Sequence, residues 1–377
     1  MMPRTKIERN ISYDSERKRY YVNFDFGIDP ASGKQIKSTK TFSKLSQARS
    51  ELRKHEASRD VGQMVLLKDT TVGQWLQTWL NDVVKLNRES TTVYTYQKMV
   101  DNHINPALGS ILLQKLTPQH LQRYYAEKIR GGEISSNTVR KHHDLMNAAF
   151  RVAVKQGLIL TNPANRVDPP KVKRPEVHFY SLEELQTLLK LSYGTRIEVL
   201  VKLAGLLGLR REEIVGLTWD HVDFEAKKIE IVEVRTSAGT QIVTKAPKTE
   251  SSKRVLYMPP AVEDALIRER EKQDHFKQIL ASSYHDSGYV FSYEDGRPLR
   301  PNYASDLFTK FVKSNNLPPL TLHGLRHSFA SIANSKGIPM FDIGKALGHS
   351  SPSTTSKIYT HLLDQDHEAM LQRMWES

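Results

Sequence analysis

The spacing of apolar residues changes along the first half of the chain. Before about residue 44, apolar and polar positions alternate, as in Tyr20, Val22 and Phe24 with Tyr21 and Asn23 between them, a period typical of half-buried strands. A proline- and glycine-containing turn at 29–33 separates two alternating runs. We therefore predict a small three-stranded sheet followed by one helix. The strands are expected near Ile11–Tyr13, Arg19–Phe26 and Lys34–Phe42, and the helix over Ser46–Arg59.

From residue 71 the apolar residues recur at helical spacing. Val72, Trp75, Leu76 and Trp79 form one amphipathic stripe. A break is expected at Asn105-Pro106, because proline removes a backbone donor. Four helices are predicted: from Val72, from Ser90 or Thr91 to about His103, from Pro118 to Gly131, and from Ser135 to Gln156.

The second half of the chain mixes both periods. Ser181 and Glu184 stand in the paired positions of a capping box, and an apolar helix follows from Arg196 to Gly208. Three β-type runs come next, and this order places Lys248 on a hairpin between the last two. The runs are Lys228–Val234, Gln241–Lys245 and Arg254–Met258, and helices are expected again from Pro260.

These patterns predict a multidomain, mainly α protein with small β-sheets. An N-terminal three-stranded sheet plus helix is expected at 1–66 and a four-helix domain at 67–162. A basic, proline-rich linker at 163–175 leads to a mixed α+β domain at 176–377, which ends in an amphipathic tail.

Charge and composition narrow the class of partner. The 377 residues carry a formal net charge of +13, which favours a polyanion but does not separate DNA from RNA or an anionic membrane. There is no cysteine, so disulfides and cysteine metal sites are excluded. No long apolar run and no secretion signal are evident, so we expect a cytoplasmic protein with no membrane partner.

One short span, 321–361, concentrates side chains that suit a phosphate. Arginine offers a planar fork of donors that matches phosphate oxygens, and a tyrosine hydroxyl can attack phosphorus. Two short apolar helices around Gly337 and Pro339 are predicted within the span, so the polar groups are expected on a packed frame. The span contains His323, Arg326, His327, His349, Tyr359 and His361.

Each of these residues also has a simpler interpretation. His323 and His327 are four apart and could bind zinc, but a third ligand is needed and Gly324 stands where the metalloprotease motif requires glutamate. A lone Tyr359 would usually be a half-buried core residue. Gly348 could simply end a helix. The phosphate interpretation therefore depends on the whole set and requires further cations.

Further cations lie upstream, in motifs whose order along the chain is that of a known protein family. The four motifs are Gly-Leu-Arg-Arg-Glu-Glu (208–213) with Leu217 and Trp219, Pro-Lys-Thr (247–249) with Ser252 and Arg254, His-Gly-Leu-Arg-His (323–327), and Leu-Gly-His (347–349) with Thr355 and Tyr359. The sequence resembles the tyrosine recombinase (phage integrase) family, in particular integrases of temperate phages and conjugative transposons. The resemblance covers the whole catalytic half and, more loosely, the N-terminal half.

The resemblance implies a site-specific recombinase that cuts and rejoins DNA through a 3′-phosphotyrosyl intermediate, to integrate and excise a mobile genetic element. Neither a metal nor a nucleotide cofactor is expected; the Gly-rich segment 205–211 lacks the Gly-Lys-Ser/Thr ending of a P-loop. Tyr359 is the expected nucleophile, His323 the base and Lys248 the general acid. The implied catalytic residues are Arg210, Lys248, His323, Arg326, His349 and Tyr359, with His361 as an accessory.

The same resemblance gives the first two domains DNA-binding roles, as an arm-type domain and a helical core-binding (SAM-like) domain. The small sheet is expected to lay one face into a major groove, although its charge also fits a solvated surface. The expected DNA contacts are Arg17, Lys18, Arg19, Lys34, Lys37, Lys40, Lys98, Arg140, Lys141, Lys171, Lys173 and Arg174.

The expected partners are double-stranded DNA, with core and arm sites, and three further copies of the chain in a tetramer on DNA. An excisionase and a host DNA-bending protein are candidate accessory partners, and the expected location is the nucleoid of a bacterial host. Two alternatives stay open. One is the same chemistry in another task, such as a type IB topoisomerase-like enzyme or a recombinase that resolves chromosome dimers. The other is a regulator that has the fold without the chemistry.

Overall fold

Helices and short antiparallel sheets build two compact units, Met1–Arg174 and Pro175–Ser377. The computed structural model describes residues 4–28, 35–60, 69–172, 177–247 and 252–348. In these ranges the predicted class, mainly α with small β-sheets, is confirmed. No helix in the described ranges is both long and apolar enough to cross a lipid bilayer.

The first unit begins with an antiparallel sheet that is covered on one face by a helix. Ile11, Val22 and Phe24 of the sheet pack against Ala48 and Leu52 of the helix and form a small buried core. The four strands lie side by side in chain order. They are β1 (Thr5–Glu8), β2 (Ile11–Asp14), β3 (Arg19–Ile28) and β4 (Gln35–Phe42), and the helix is α1 (Leu45–Asp60).

The predicted number of strands, three, is wrong because β1 was missed. β1 has one strongly apolar residue, Ile7, which is 41% exposed. Backbone pairing holds the strand, with Thr5 opposite Tyr13 and Lys6 opposite Ser12. An edge strand that buries so little gives no apolar period, and apolar period is the signal on which the prediction relied.

A bundle of four helices follows, as predicted. Thr71 and Thr117 start two of the helices, and each accepts a hydrogen bond from the backbone of the third helical residue. In chain order the helices are α2 (Val72–Trp79), which continues through Leu80–Val84 into α3 (Lys85–Asn87); α4 (Ser90–Met99), which continues through Val100–Ile104 into α5 (Asn105–Leu108); α6 (Pro118–Arg130); and α7 (Ser136–Lys155).

The predicted break at Asn105-Pro106 is wrong. The segment Val100–Ile104 is π-helical, and the backbone N–H of Asn105 bonds to the carbonyl of Val100, five residues earlier. Pro106, which has no N–H, then falls in the first turn of α5, where no donor is required. The wider π turn therefore carries the helix past the proline.

The first residues of the predicted linker are folded onto the bundle. Pro163–Arg166 forms a 3₁₀ turn, and the Asn162 side chain accepts a hydrogen bond of 2.9 Å from the Ala164 N–H. Ala164 is 1% exposed and belongs to the bundle core. The extended conformation expected for the linker therefore does not apply to these residues.

The second unit is organised around a helix that is buried along nearly its whole length. Glu198–Leu207 (α9) has buried residues at every position except Leu206, and the helices before and after it in the chain pack against it. Within the described ranges, the α-helices of this unit are α8 (Leu182–Ser192), α9, α10 (Arg211–Ile214), α11 (Pro260–Leu280), α12 (Pro301–Ser314), α13 (Leu322–Ser335) and α14 (Met340–Leu347). The predicted capping box of Ser181 and Glu184 opens α8.

The strands of the second unit pair differently from the prediction. They are β5 (Val222–Asp223), β6 (Lys228–Ile231), β7 (Val234–Ala238), β8 (Gln241–Lys245) and β9 (Arg254–Tyr257). β7 and β8 form a two-stranded sheet, whereas β9 joins β5 and β6 in the order β5-β6-β9. The prediction that β8 and β9 form the hairpin that carries Lys248 is therefore wrong, and Lys248 itself lies outside the described residues. Ile229 of β6 lies opposite Leu256 of β9, and both are buried, so this pairing extends the core.

Candidate active site

Arg210 is presented by a turn between two helices. Gly208 ends α9 in the left-handed conformation (φ +67°), Leu209 is buried, and Arg210 starts α10. A side chain at position 208 has no room, because its Cβ would lie 2.6 Å from Leu347 Cδ2 and 2.8 Å from Phe329 Cδ1. Glycine is thus required both by the backbone and by the close approach of α13 and α14.

Glu213 is the centre of the hydrogen bonds around Arg210. Its carboxylate accepts from the backbone N–H of Arg210 at 2.8 Å and from Arg210 Nη1 at 2.8 Å. Arg254 donates to the same carboxylate through both terminal nitrogens, each at 3.0 Å. Arg326 Nη1 lies 4.0 Å from Glu213 Oε2. Residues from α10, β9 and α13 therefore meet at one buried carboxylate.

This cluster carries excess positive charge. Glu213 is 2% exposed, and burial alone would raise its pKa, but the hydrogen bonds and charges of Arg254 and Arg210 outweigh burial and lower that pKa. Glu213 is therefore ionised near neutral pH, and with the three arginines it leaves a net charge of +2. The Arg210 side chain is 31% exposed, so the cluster opens to solvent there. Buried charge that is not fully balanced favours an anion at such an opening.

Arg326 lies deeper than Arg210. Its side chain is 3% exposed, and it donates to the carbonyl of Gly208 at 2.7 Å and to that of Leu347 at 2.6 Å. The guanidinium thus joins the ends of α9 and α14. Five N–H donors on a rigid plane allow arginine to hold two backbone groups and still point others elsewhere.

His323 lies in the first turn of α13, exposed to solvent on one side. Thr321 caps the helix by accepting a hydrogen bond of 3.1 Å from Gly324 N–H. The pKa of His323 is lowered, first by partial desolvation and then by the charges of Arg326 and Arg210, with Glu212 opposing them. His323 is therefore neutral at physiological pH and free to accept a proton.

The zinc interpretation gains no third ligand from the structure. The rings of His323 and His327 lie edge to face with centroids 4.8 Å apart. Within the described ranges, no group of three or more histidine, aspartate or glutamate side chains has the spacing of a metal site. Desolvation and the neighbouring His323 lower the pKa of His327 to about 4, so it is also neutral at pH 7.

Of the seven candidate catalytic residues, the structure brings Arg210, His323 and Arg326 together. Lys248, His349, Tyr359 and His361 lie outside the described residues, as do the DNA-contact candidates Lys34, Lys173 and Arg174. α14 ends at Leu347, and Gly348 follows it in a left-handed conformation. Arg326 binds the carbonyl of Leu347, and this contact also fixes the position of the adjacent Gly348, the last described residue.

Sequence reasoning missed the part played by Arg254. In the sequence, Arg254 is distinguished only as a member of the Pro-Lys-Thr motif. A charged side chain at the start of a strand usually faces solvent. In the structure its side chain is 7% exposed, and its Nε donates to the carbonyl of Ala346 at 2.8 Å. The available signal was the motif itself, which fixes an arginine six residues after the candidate lysine.

The basic residues of the N-terminal sheet divide between its two faces. Lys40 lies opposite Val22, on the face that α1 covers, and its Nζ is 5.8 Å from the centre of the Phe24 ring. Lys37 lies opposite Asp25, on the uncovered face, hereafter the open face. When the open face of the sheet enters a DNA groove, Lys37 can contact the DNA, whereas Lys40 lies on the opposite face.

The open face contains two basic residues that the sequence did not predict, because β1 was missed. Arg4 lies over the Tyr21 ring, 3.7 Å from its centre, and Lys6 pairs with Ser12, which in turn pairs with Tyr21. Arg19 shares this face by strand alternation, and Arg17 and Lys18 lie in the turn before it. The polar residues between these cations are Ser12, Asn23, Thr39 and Thr41.

The DNA-contact candidates in the bundle and in the segment after it are exposed or, for Arg140, half-buried, whereas a neighbouring histidine is buried. Lys98, Lys141 and Lys171 are exposed, and Arg140 forms a 3.1 Å ion pair with Asp144. His142, next to Lys141, is wholly buried and its Nδ1 forms a hydrogen bond of 2.8 Å with the hydroxyl of Tyr124. Desolvation is the main cause that lowers the pKa of His142 to about 4, so it cannot bind phosphate as a cation.

Two family models match the chain. The model described as the phage integrase family matches residues 179–366, and the model described as the phage integrase N-terminal SAM-like domain matches residues 71–129. Among curated relatives, a tyrosine recombinase XerC-like protein of Caldanaerobacter subterraneus subsp. tengcongensis is 28% identical over 95% of this chain and 96% of its own. The ICEBs1 integrase of Bacillus subtilis is 25% identical over 95% of this chain and 97% of its own.

A solved structure shares the fold. The Tn1549 transposon integrase, determined in complex with a circular intermediate DNA, matches with a TM-score of 0.68 and 20% identity, and covers 81% of this chain and 99% of its own. At 20% identity the match shows a common fold. The function of this chain has to be argued from the chemistry of its own motif residues.

Proposed function

Because the chain belongs to the phage integrase family of tyrosine recombinases, we propose that it integrates and excises a mobile genetic element by site-specific cutting and rejoining of DNA. The observation that carries this proposal is the cluster of Arg210, Arg254 and Arg326 around one buried carboxylate, which opens to solvent at Arg210. Relatives over nearly the full length of the chain are named as integrases and recombinases, which supports strand exchange as the outcome.

In the proposed reaction, the hydroxyl oxygen of Tyr359 attacks the scissile phosphorus, and the bond from phosphorus to the 5′ oxygen breaks. His323 takes the tyrosine proton, and Lys248 gives a proton to the departing 5′ oxygen. Arg210 and Arg326 hold the non-bridging oxygens, on which negative charge builds. His349 and His361 orient the tyrosine or donate to the phosphate.

The phosphotyrosyl bond keeps the energy of the phosphodiester, so rejoining needs no nucleotide. A 5′ hydroxyl of another duplex attacks the phosphorus and gives its proton to Lys248. The bond from phosphorus to Tyr359 breaks, and the tyrosine takes its proton back from His323. The oxygen that attacks in cleavage belongs to a side chain, and arginines balance the negative charge on the phosphate. The proposed steps therefore use only groups of the protein and of the DNA.

DNA binding is assigned to both units. We assign the arm sites to the open face of the sheet, with Lys37, Arg19, Lys6 and Arg4 on phosphates. The core sites are assigned to the exposed lysines of the bundle, Lys98 and Lys141, and to Lys171, Lys173 and Arg174 of the predicted linker. Location at the bacterial nucleoid follows from these substrates, and an excisionase and a host DNA-bending protein remain candidate partners.

The decisive experiment is covalent trapping on a nicked suicide duplex that carries the end of the element. The nick lets the short fragment with the new 5′ hydroxyl diffuse away after cleavage, so the phosphotyrosyl adduct accumulates. Wild-type protein should give a shifted protein–DNA band on a denaturing gel, and Tyr359→Phe, which lacks only the hydroxyl, should give none.

Binding without trapping by the wild type would favour the regulator alternative. Trapping by Tyr359→Phe would assign the nucleophile to another residue. Relaxation of supercoiled DNA without strand exchange between two duplexes would favour the topoisomerase-like alternative.

A further inference from the structure

The last three carbonyls of α14 and its cap are each bound by a side chain from elsewhere in the fold. Arg254 Nε donates to Ala346 O at 2.8 Å, Arg326 Nη2 to Leu347 O at 2.6 Å, and Ser252 Oγ to Gly348 O at 3.4 Å. The carbonyls at a helix C-terminus lack partners inside the helix, and cations are favoured there. The end of α14 is therefore fixed by three specific side-chain contacts.

Arg254 differs from the other two side chains because it also hydrogen-bonds to the carboxylate that orients Arg210, which Arg326 approaches only to 4.0 Å. Its Nη1 and Nη2 bond to the two oxygens of Glu213 at 3.0 Å each, and Nη1 bonds to Ser252 O at 3.2 Å. One guanidinium thus contacts Ser252, just before its own strand, the end of α14 and Glu213. Only a planar group with donors in several directions can do this, so lysine is not equivalent.

We propose that Arg254 is a positioning residue. It fixes the phosphate clamp, which is the pair Arg210 and Arg326, in its position relative to the end of α14. The inference rests on the proposed function, because it concerns the placement of Arg210 on a scissile phosphate. Arg254 itself is 7% exposed on its side chain and directs its donors to Glu213 and backbone carbonyls. It acts on the phosphate through Arg210.

Loss of Arg254 has two physical consequences. Glu213, which is 2% exposed, keeps Arg210 as its hydrogen-bonded arginine, so the Arg210 guanidinium is drawn toward the carboxylate and away from solvent. The Ala346 carbonyl loses the donor that fixes the end of α14. A misplacement of about 1 Å in a catalytic constellation is sufficient to slow a reaction by about 10²-fold.

The test compares two scissile groups in single-turnover cleavage of the suicide duplex. A methylphosphonate replaces one charged non-bridging oxygen with a methyl group, so the centre is neutral and the clamp contributes less. Arg210→Ala provides the reference pattern for a lost clamp. Arg254→Met should show the same pattern, with a rate about 10²-fold below wild type on phosphate and a much smaller loss on methylphosphonate, at nearly unchanged duplex affinity.

Two further variants separate positioning from general stability. Arg254→Lys keeps the charge but concentrates its donors on one nitrogen, and should recover part of the rate on phosphate. Arg268→Met is the matched control, because Arg268 also hydrogen-bonds a buried carboxylate, Glu198, at the far end of α9 from Arg210. It should behave as wild type on both duplexes.

Equal losses of Arg254→Met on the two substrates, or no loss on phosphate, would overturn the proposal. If Arg254→Met does not fold, as judged by its circular dichroism spectrum, Arg254→Lys is compared with wild type on both substrates under the same criterion. Failure of the wild type to form any covalent adduct would instead contradict the proposed function.

Discussion

Glu213 shows how one carboxylate organises a site made of cations. It accepts four hydrogen bonds, two from Arg210 and two from Arg254, and it is nearly inaccessible to water. A carboxylate placed beside a phosphate would repel it, but here the oxygens are saturated by donors, and the excess charge of the arginines remains. Glu213 thus orients Arg210 without cancelling the attraction of the cluster for an anion.

The lowered pKa of His323 predicts a pH profile. The base works in its neutral form, and its folded pKa lies below the ordinary value of 6.5, so the cleavage rate should stay level from pH 8 to 6.5 and decline only below that. His323→Gln should slow cleavage by about 10²–10⁴-fold and remove the acid decline. Single-turnover rates between pH 5 and 8 measure both effects.

His327→Gln is the control for that profile. The pKa of His327 is about 4, so His327 is neutral across the measured range and its loss should leave the shape of the profile unchanged. An acid decline centred above pH 6.5, or one that persists in His323→Gln, would assign the base to another group.

At the scale of elements, the joint between α9 and α10 is the best defined feature of the site. Gly208 and Gly194 both have left-handed backbone, with φ of +67° and +70°, but a Cβ on Gly194 would meet nothing within 4 Å. Gly194→Ala should therefore lose roughly 1–2 kcal/mol of unfolding free energy, from the backbone alone. Gly208→Ala should lose about 1–3 kcal/mol more, because Leu347 and Phe329 must move.

Urea denaturation of the two variants beside wild type measures this difference. Gly208→Ala should also slow covalent trapping, since the Gly208 carbonyl accepts a hydrogen bond from Arg326, whereas Gly194→Ala should trap DNA at the wild-type rate. Equal destabilisation by the two substitutions would mean that the contact with α13 and α14 is not close in solution.

The two faces of the N-terminal sheet give a matched pair of lysines. Lys37→Ala, on the open face, should weaken binding to an arm-site duplex and reduce the slope of log affinity against log salt by about 0.9. Lys40→Ala, on the helix-covered face, removes the same charge and should change neither quantity appreciably. Fluorescence anisotropy titrations at several salt concentrations decide this, and equal effects would contradict a single binding face.

The two wrong predictions about strands share a cause. β1 is an edge strand with one partly exposed apolar residue, and the pairing of β9 with β6 instead of β8 depends on which strand completes the core. Helix starts were predicted well, as at Thr117 and Ser181, because capping is decided within four residues of sequence. Partner choice between strands is decided by burial over the whole unit.

At the scale of the whole molecule, strand exchange sets the number of copies. Recombination of two duplexes cuts four strands, and each copy of the chain is proposed to contribute one nucleophile, Tyr359. We therefore expect four protomers on a synthetic four-way junction and two on a single core duplex. Native mass spectrometry with Tyr359→Phe, which binds without cleaving, counts them. One protomer per junction would contradict the proposed tetramer.

The formal net charge of +13 is also a property of the whole molecule. It attracts any polyanion, so it explains affinity for DNA in general but no choice of sequence. Selection of a site must come from a few side chains that reach base edges. The open face offers Asn23 and Thr39 for this, although their side chains already hydrogen-bond to each other at 2.7 Å.

The order of four short motifs, each readable within about ten residues, was enough to predict the chemistry, the class of substrate and the types of catalytic residue. Local sequence also determined most helices, because periodicity and capping act over neighbouring residues. Only the tertiary structure decided that Arg254, 41 residues from Glu213 in sequence, binds that carboxylate, and that Arg326 bonds to Gly208, 118 residues away. Such contacts arise when separate elements compete to bury surface and satisfy polar groups, and no local window of sequence records that competition.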